Sequence, residues 1–120
     1  MVEENRSRSG VVDTVRSAIA ACLNNGGPSL EKVADSVGAH ARTLQRRLAR
    51  VDLTYQQLVD EVRFDLARSL LESPNTPLHE IASRLGYGDP AHFSRAFNRW
   101  TGMSPRAYRD RSIGRSAERA

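Results

Sequence analysis

At 120 residues, 39% hydrophobic and with a net charge of +4, the chain suits one compact domain or two small subdomains sharing a helix. No apolar run approaches the roughly 18 residues of a membrane span, and Met1-Val2-Glu3-Glu4-Asn5-Arg6 lacks the apolar stretch of a signal peptide. Cys22 stands alone, which excludes a disulfide framework and a thiolate metal cluster; a cytoplasmic protein with no membrane partner is expected.

In chain order, residues 1–10 are polar and read as a flexible tail. Val11 to about Asn24 reads as helix, with Val11, Val12, Val15, Ala18, Ile19, Ala21 and Cys22 as a broad apolar face. Asn24-Asn25-Gly26-Gly27-Pro28 stops it. Ser29 caps a short helix over 30–37, with Leu30, Val33, Ala34 and Val37 facing inward. A turn at Gly38-Ala39-His40 leads to a third helix ending near Arg50, with Leu44, Leu48 and Val51 as its stripe. Thr54-Tyr55-Gln56-Gln57 is a capping-box pattern that opens a long helix to about Glu72. Its apolar face is Tyr55, Leu58, Val59, Val62, Leu66 and Leu70. After Ser73-Pro74-Asn75, Thr76-Pro77 starts another short helix, with Pro77 at its first position and Leu78, Ile81, Ala82 and Leu85 inward. Gly86-Tyr87-Gly88 turns the chain, and Asp89-Pro90 caps a helix whose Phe93, Ala96, Phe97 and Trp100 recur at i, i+3, i+4 and i+7. Ser104-Pro105 caps a last turn through Tyr108, and residues 110–120 read as a second flexible tail. No strand is expected; the fold class is all-α, with about seven helices.

A repeat lies inside this plan. Leu30, Val33, Ala34, Val37 and Gly38 recur 48 residues on as Leu78, Ile81, Ala82, Leu85 and Gly86. Leu44-Gln45-Arg46-Arg47-Leu48 recurs 49 residues on as Phe93-Ser94-Arg95-Ala96-Phe97. The one-residue slip falls in the turn, where insertion is cheapest. The repeated unit is helix, Gly-containing turn, helix, the order of a helix-turn-helix. This divides the chain into a first subdomain over 11–53, a linker helix over 54–72 and a second subdomain over 73–109. Charge follows the repeat. Residues 36–51 carry Arg42, Arg46, Arg47 and Arg50, and residues 90–109 carry Arg95, Arg99, Arg106 and Arg109, with no carboxylate in either stretch. Two basic islands on an otherwise acidic chain are the electrostatic mark of a nucleic-acid partner.

The residues Ile81-Ala82, Leu85-Gly86-Tyr87, Asp89, Phe93, Arg95-Ala96-Phe97, Trp100, Gly102, Ser104-Pro105 and Tyr108-Arg109 together resemble the DNA-binding domain of AraC/XylS-type bacterial transcription regulators. The resemblance runs from about Ser29 to Arg109. It implies two helix-turn-helix motifs held by one linker helix, with the second helix of each in adjacent major grooves of double-stranded DNA. It also implies transcription regulation, with activation the commoner direction, and contact with RNA polymerase. Most members carry a separate N-terminal effector-binding or dimerisation domain. Here about 28 residues precede the first motif, so an excised domain and a short member are both open, and the resemblance carries DNA binding without ligand sensing.

On the first recognition helix Arg42, Gln45, Arg46 and Ala49 share a face opposite Leu44 and Leu48. Arg can bind guanine O6 and N7 bidentately and Gln can bind adenine N6 and N7, so Arg42, Gln45 and Arg46 are the expected base contacts. On the second helix Ala91, Ser94 and Arg95 are expected at bases, Ala91 through apolar contact with a thymine methyl. His40, Arg47, Arg50, His92, Asn98, Arg99 and Ser104 are expected at phosphates. The second helix has fewer strong donors, so sequence choice should rest on the first. Trp100, Tyr87 and Tyr108 read as packing residues. Catalysis finds no support: His40, His79 and His92 are scattered without metal-ligand spacing, and there is no phosphate-cradling Gly-rich loop or nucleophile elbow. No enzyme activity, cofactor or metal is expected. The alternative is a helical protein–protein adaptor without intrinsic DNA specificity.

Overall fold

The computed structural model describes residues 2–23 and 28–119, with side chains over 10–23 and 28–114. Among these residues the chain forms seven α-helices and no strand: α1 Val2–Cys22, α2 Leu30–Ser36, α3 Ala41–Ala49, α4 Tyr55–Leu71, α5 Leu78–Arg84, α6 Pro90–Thr101 and α7 Pro105–Arg119. It divides into two compact units, Met1–Arg63 and Phe64–Ala120. The division falls within α4, which supplies core residues to each.

The caps written in the sequence are made. Ser29 Oγ accepts from the Lys32 N–H at 3.1 Å. The Thr54–Gln57 box closes in both directions, with Thr54 N–H donating to Gln57 Oε1 at 2.9 Å and Gln57 N–H to Thr54 Oγ1 at 3.1 Å. Asp89 Oδ1 accepts from His92 N–H at 2.8 Å, with Pro90 in the first turn of α6. Such side chains satisfy N–H groups that have no intrahelical partner.

In unit 1, α1 packs on α2 and α3, and α2 packs on α3. Val15, Ala18, Ile19 and Leu23 are buried, as are Val33, Ala34, Leu44, Leu48, Leu58, Val59 and Val62. In unit 2, Ala67, Leu71, Ile81, Ala82, Leu85, Phe93 and Phe97 form one buried cluster, with Leu66, Leu70, Leu78, Tyr87, Trp100 and Tyr108 packed against it. Each fully buried Leu, Ile or Phe contributes about 1.5–3 kcal/mol over exposure. Phe97 is the ring hub: its centroid lies 6.0 Å from Phe64, 5.8 Å from Phe93, 6.2 Å from Trp100 and 5.3 Å from Tyr108.

The repeat is visible in backbone geometry. Gly38 and Gly86 both adopt left-handed φ, 71° and 87°. Behind them Ala39 N–H donates to the Ala34 carbonyl and Tyr87 N–H to the Ala82 carbonyl, both at 2.9 Å. This is the Schellman closure that glycine permits at a helix end. The small Ala34 and Ala82 match as well, each 1% exposed.

The structure differs from the sequence expectations at several points. Helix α1 begins at Val2, so the backbone over 2–10, expected as a tail, is helical. Helix α7 runs to Arg119, well past the single turn expected through Tyr108. After Pro105 that stretch has no proline and a single glycine, which leaves helix the easier state. It carries little apolar periodicity, and Ile113 is exposed, so no buried stripe announced it. Pro77 is the N-cap of α5 rather than its first residue. Ala21 is exposed, off the face expected for α1, whereas Leu23 beyond the helix end is buried. The stop expected at Asn24, Asn25, Gly26 and Gly27 lies outside the described residues. Along α4 the buried positions change from Leu58, Val59 and Val62 to Ala67 and Leu71, while Leu66 and Leu70 are half-buried. One helix serving two cores does not keep one stripe.

Candidate nucleic-acid interface

Helix α3 buries Leu44 and Leu48 and turns Arg42, Gln45, Arg46 and Ala49 outward, all four exposed. Arg47 and the C-cap Arg50 flank that face and are also exposed. Three other described arginines are ion-paired: Arg16 meets Glu61 at 3.1 Å, Arg84 meets Glu80 at 2.9 Å and Arg68 meets Asp65 at 3.8 Å. Among the described residues no carboxylate pairs with Arg42, Arg46, Arg47 or Arg50. Four unpaired cations on one short helix leave its field directed at solvent. That field attracts an anionic surface, and it weakens when salt screens it.

Helix α6 repeats the plan with different chemistry. Phe93, Ala96 and Phe97 are buried, whereas Ala91, His92, Arg95, Asn98 and Arg99 are exposed. Ser94 is half-buried, so it has less reach than Gln45, its counterpart 49 residues earlier. The counterpart of Arg47 is Ala96, which lies in the core at 4% exposure. Arg95 and Arg99 carry no ion pair among the described residues.

The two helix starts also differ. His40, the N-cap of α3, makes no side-chain cap bond, and no acid lies in the first turn. At the equivalent place on α6, Asp89 caps the helix. The bond from His92 N–H, aided by the charges of His92 and Arg95, holds the Asp89 carboxyl below its ordinary pKa. His92 Nε2 lies 3.7 Å from Asp89 Oδ2. A fixed carboxylate thus stands at the start of α6 and none at the start of α3. Ser104 is exposed, and its Oγ accepts from Ala107 N–H at 3.1 Å as the cap of α7.

Sequence reading missed two contributors. Phe64 stacks on Trp100, with planes 3° apart and centroids 6.5 Å apart, and the Arg68 guanidinium lies 5.8 Å from its ring centre. Phe64 falls off the stripe that marked α4, so periodicity hid it. Arg109 belongs to the second basic island by position, yet it is half-buried and donates to the carbonyls of Leu71 and Thr76. Only the preceding Tyr108, which packs against the core, hinted that Arg109 faces inward. An open cleft of about 400 Å³ in unit 1 is lined by Gly10, Val11, Thr14, Val15, Val37, Leu44 and Arg47. Among the described residues no group of three His, Cys, Asp or Glu could hold a metal ion, and no helix is long and apolar enough to cross a membrane.

Two helix-turn-helix units, each with a buried seam and an unpaired cationic outer face on its second helix, define a tandem helix-turn-helix domain. Residues 33–111 match the family model described as a helix-turn-helix domain. The chain is 43% identical over 83 residues to the ornithine utilization regulator of Pseudomonas aeruginosa, covering 69% of this chain and 24% of that protein. The chain therefore spans about a quarter of the length of that curated relative. Its fold is similar to an AraC-type DNA-binding domain protein from Chromobacterium violaceum, with TM-score 0.74, 22% identity, and coverage of 87% of this chain and 93% of that one. It is also similar to the DNA-binding domain of AdpA, a global transcriptional factor solved with a target DNA, with TM-score 0.72, 27% identity, and coverage of 87% and 94%. The chain belongs to the AraC-type helix-turn-helix DNA-binding domains of transcription regulators, which is not an enzyme family.

Proposed function

We propose that the chain binds double-stranded DNA sequence-specifically, α3 entering one major groove and α6 the next, to regulate transcription in the cytoplasm of a bacterium. The observation that carries this is the exposed face of α3, Arg42, Gln45 and Arg46, with its arginines unpaired opposite buried Leu44 and Leu48. These are the side chains that read guanine and adenine edges in a major groove. Arg47 and Arg50 at its flanks suit phosphates, and His40 sits at a helix start without an acid. On α6, Arg95 and Ala91 face out as base contacts, Ser94 contributes from a half-buried position, and His92, Asn98 and Arg99 approach the backbone, as does Ser104 at the cap of α7. The Asp89 carboxylate beside His92 weakens the attraction of that end for phosphate, so α6 orients the domain more than it selects sequence. The direction we propose is activation, following the family resemblance, with RNA polymerase as the further partner.

Selection of bound sites from random duplexes with this chain tests the reading. Two half-motifs about ten base pairs apart, one helical turn, are expected. The half-motif under α3 should be the more sharply defined. Binding should weaken with salt by about 0.9 log units per log unit for each phosphate contact. A helical protein–protein adaptor would enrich no duplex.

A further inference from the structure

Of the four arginines in the second basic stretch, Arg95, Arg99 and Arg106 are exposed and Arg109 is half-buried. Arg109 Nε donates to the Leu71 carbonyl at 3.1 Å and Nη2 to the Thr76 carbonyl at 2.6 Å. Leu71 is the last residue of α4, so its carbonyl lacks an intrahelical partner and lies at the negative end of the helix dipole. Thr76 directly precedes Pro77, the cap of α5. Among the described residues no backbone N–H outside the helices bonds either carbonyl. One planar guanidinium therefore closes the 72–76 loop from both sides.

We propose that Arg109 is a positioning residue for DNA recognition by α6, acting through the start of α5 and touching no phosphate. This rests on α6 being a DNA-reading helix. The seven residues of α5 are too few to hold a helix by themselves. Its place in unit 2 is set by Ile81, Ala82 and Leu85 in the core and by the clamp at its entrance. From its far end the Tyr87-to-Ala82 backbone bond passes the chain directly to α6. Releasing the clamp lets the α5 entrance shift, and the outward face of α6 shifts with it. Lysine does not replace this arrangement, because a compact ammonium lacks the fork that reaches two separate acceptors.

The test compares Arg109→Lys with the parent chain, both checked for helicity by circular dichroism. The probes are the duplex recovered by selection and the same duplex with the α6 half-motif scrambled. On the intact duplex Kd should rise about tenfold, equivalent to about 1.4 kcal/mol. On the scrambled duplex the two proteins should bind equally. The slope of log K against log salt should be unchanged. Amide exchange over residues 78–82 should quicken in the free protein. A slope shallower by about 0.9 would make Arg109 a phosphate contact and overturn the proposal. Equal affinity on the intact duplex, or unchanged exchange at α5, would overturn it too. If the parent chain enriches no duplex, the DNA reading itself fails, while exchange at α5 still decides the clamp. Should the Lys variant not fold, Arg109→Gln is measured in the same way, with the same pattern expected.

Discussion

At the residue scale, charge and place on the helix decide what an arginine does. Arg46 lies in the middle of the outward face of α3, and Arg50 caps its end. Arg46→Ala should cost about 1–3 kcal/mol, concentrated at one base pair, and relax preference there. Arg50→Ala should weaken all duplexes alike and make the salt slope shallower by about 0.9. A panel of single-base-variant duplexes at two salt concentrations separates the two. Tyr55 shows how burial sets a titration. Its hydroxyl donates to the Pro28 carbonyl at 2.6 Å, and burial, with the neighbouring Cys22, pushes its pKa from 10 up to about 12 against the pull of Arg63. A folded-state pKa above the unfolded value favours the neutral phenol. Its contribution to stability is therefore full below pH 10 and is lost as pH rises toward 12. Tyr55→Phe should cost about 1 kcal/mol at neutral pH and flatten this alkaline decline. Denaturant midpoints across that range are the measurement, and an unchanged decline in the Phe variant would move its origin elsewhere.

At the element scale, the ends of the helices hold the repeat together. Helix α6 ends on Gly102 at φ 77°, whereas the turn after α3 places Asp52 at φ 60°. There Leu53 N–H donates to the Leu48 carbonyl at 3.0 Å, so Asp52 occupies the left-handed position that glycine fills most easily. Asp52→Gly should stabilise the protein by about 1 kcal/mol. Gly38→Ala should do the reverse, by about 1–2 kcal/mol. A Cβ at Gly38 meets nothing within 4 Å, so that cost lies wholly in its φ of 71°. Both should move the denaturant midpoint without changing the slope. Capping chemistry was legible in sequence because it is local: Ser29, Thr54, Gln57 and Asp89 each bond within three residues. The start of α1 and the far end of α7 were not, since nothing local bounds a helix there and no buried stripe marks its length.

At the scale of the whole molecule, two cores replace one. Phe97 meets four rings in unit 2, and unit 1 has its own buried set from Val15 to Val62. Phe97→Ala should cost about 3–5 kcal/mol, a large share of the stability of so small a unit. Amide exchange should show protection collapsing over 78–101 while α3 stays protected. Equal loss in both units would instead mean one cooperative core.

The sequence by itself determined the helix-turn-helix repeat, the aromatic stripe of α6 and the outward face of α3. These depend on 3.6-residue periodicity, glycine at left-handed turns and the placement of charge, all of which act within a few residues. Only the tertiary structure decided which cations are free and which are spent. Arg109 and Arg95 sit in the same basic stretch, yet one is bound to two carbonyls from residues 33 and 38 positions away and the other faces solvent unpaired. Tertiary structure also brought Phe64 against Trp100 and divided α4 between two cores. Hydrogen bonds and ring contacts across such separations form only when the chain has folded, so no local pattern records them.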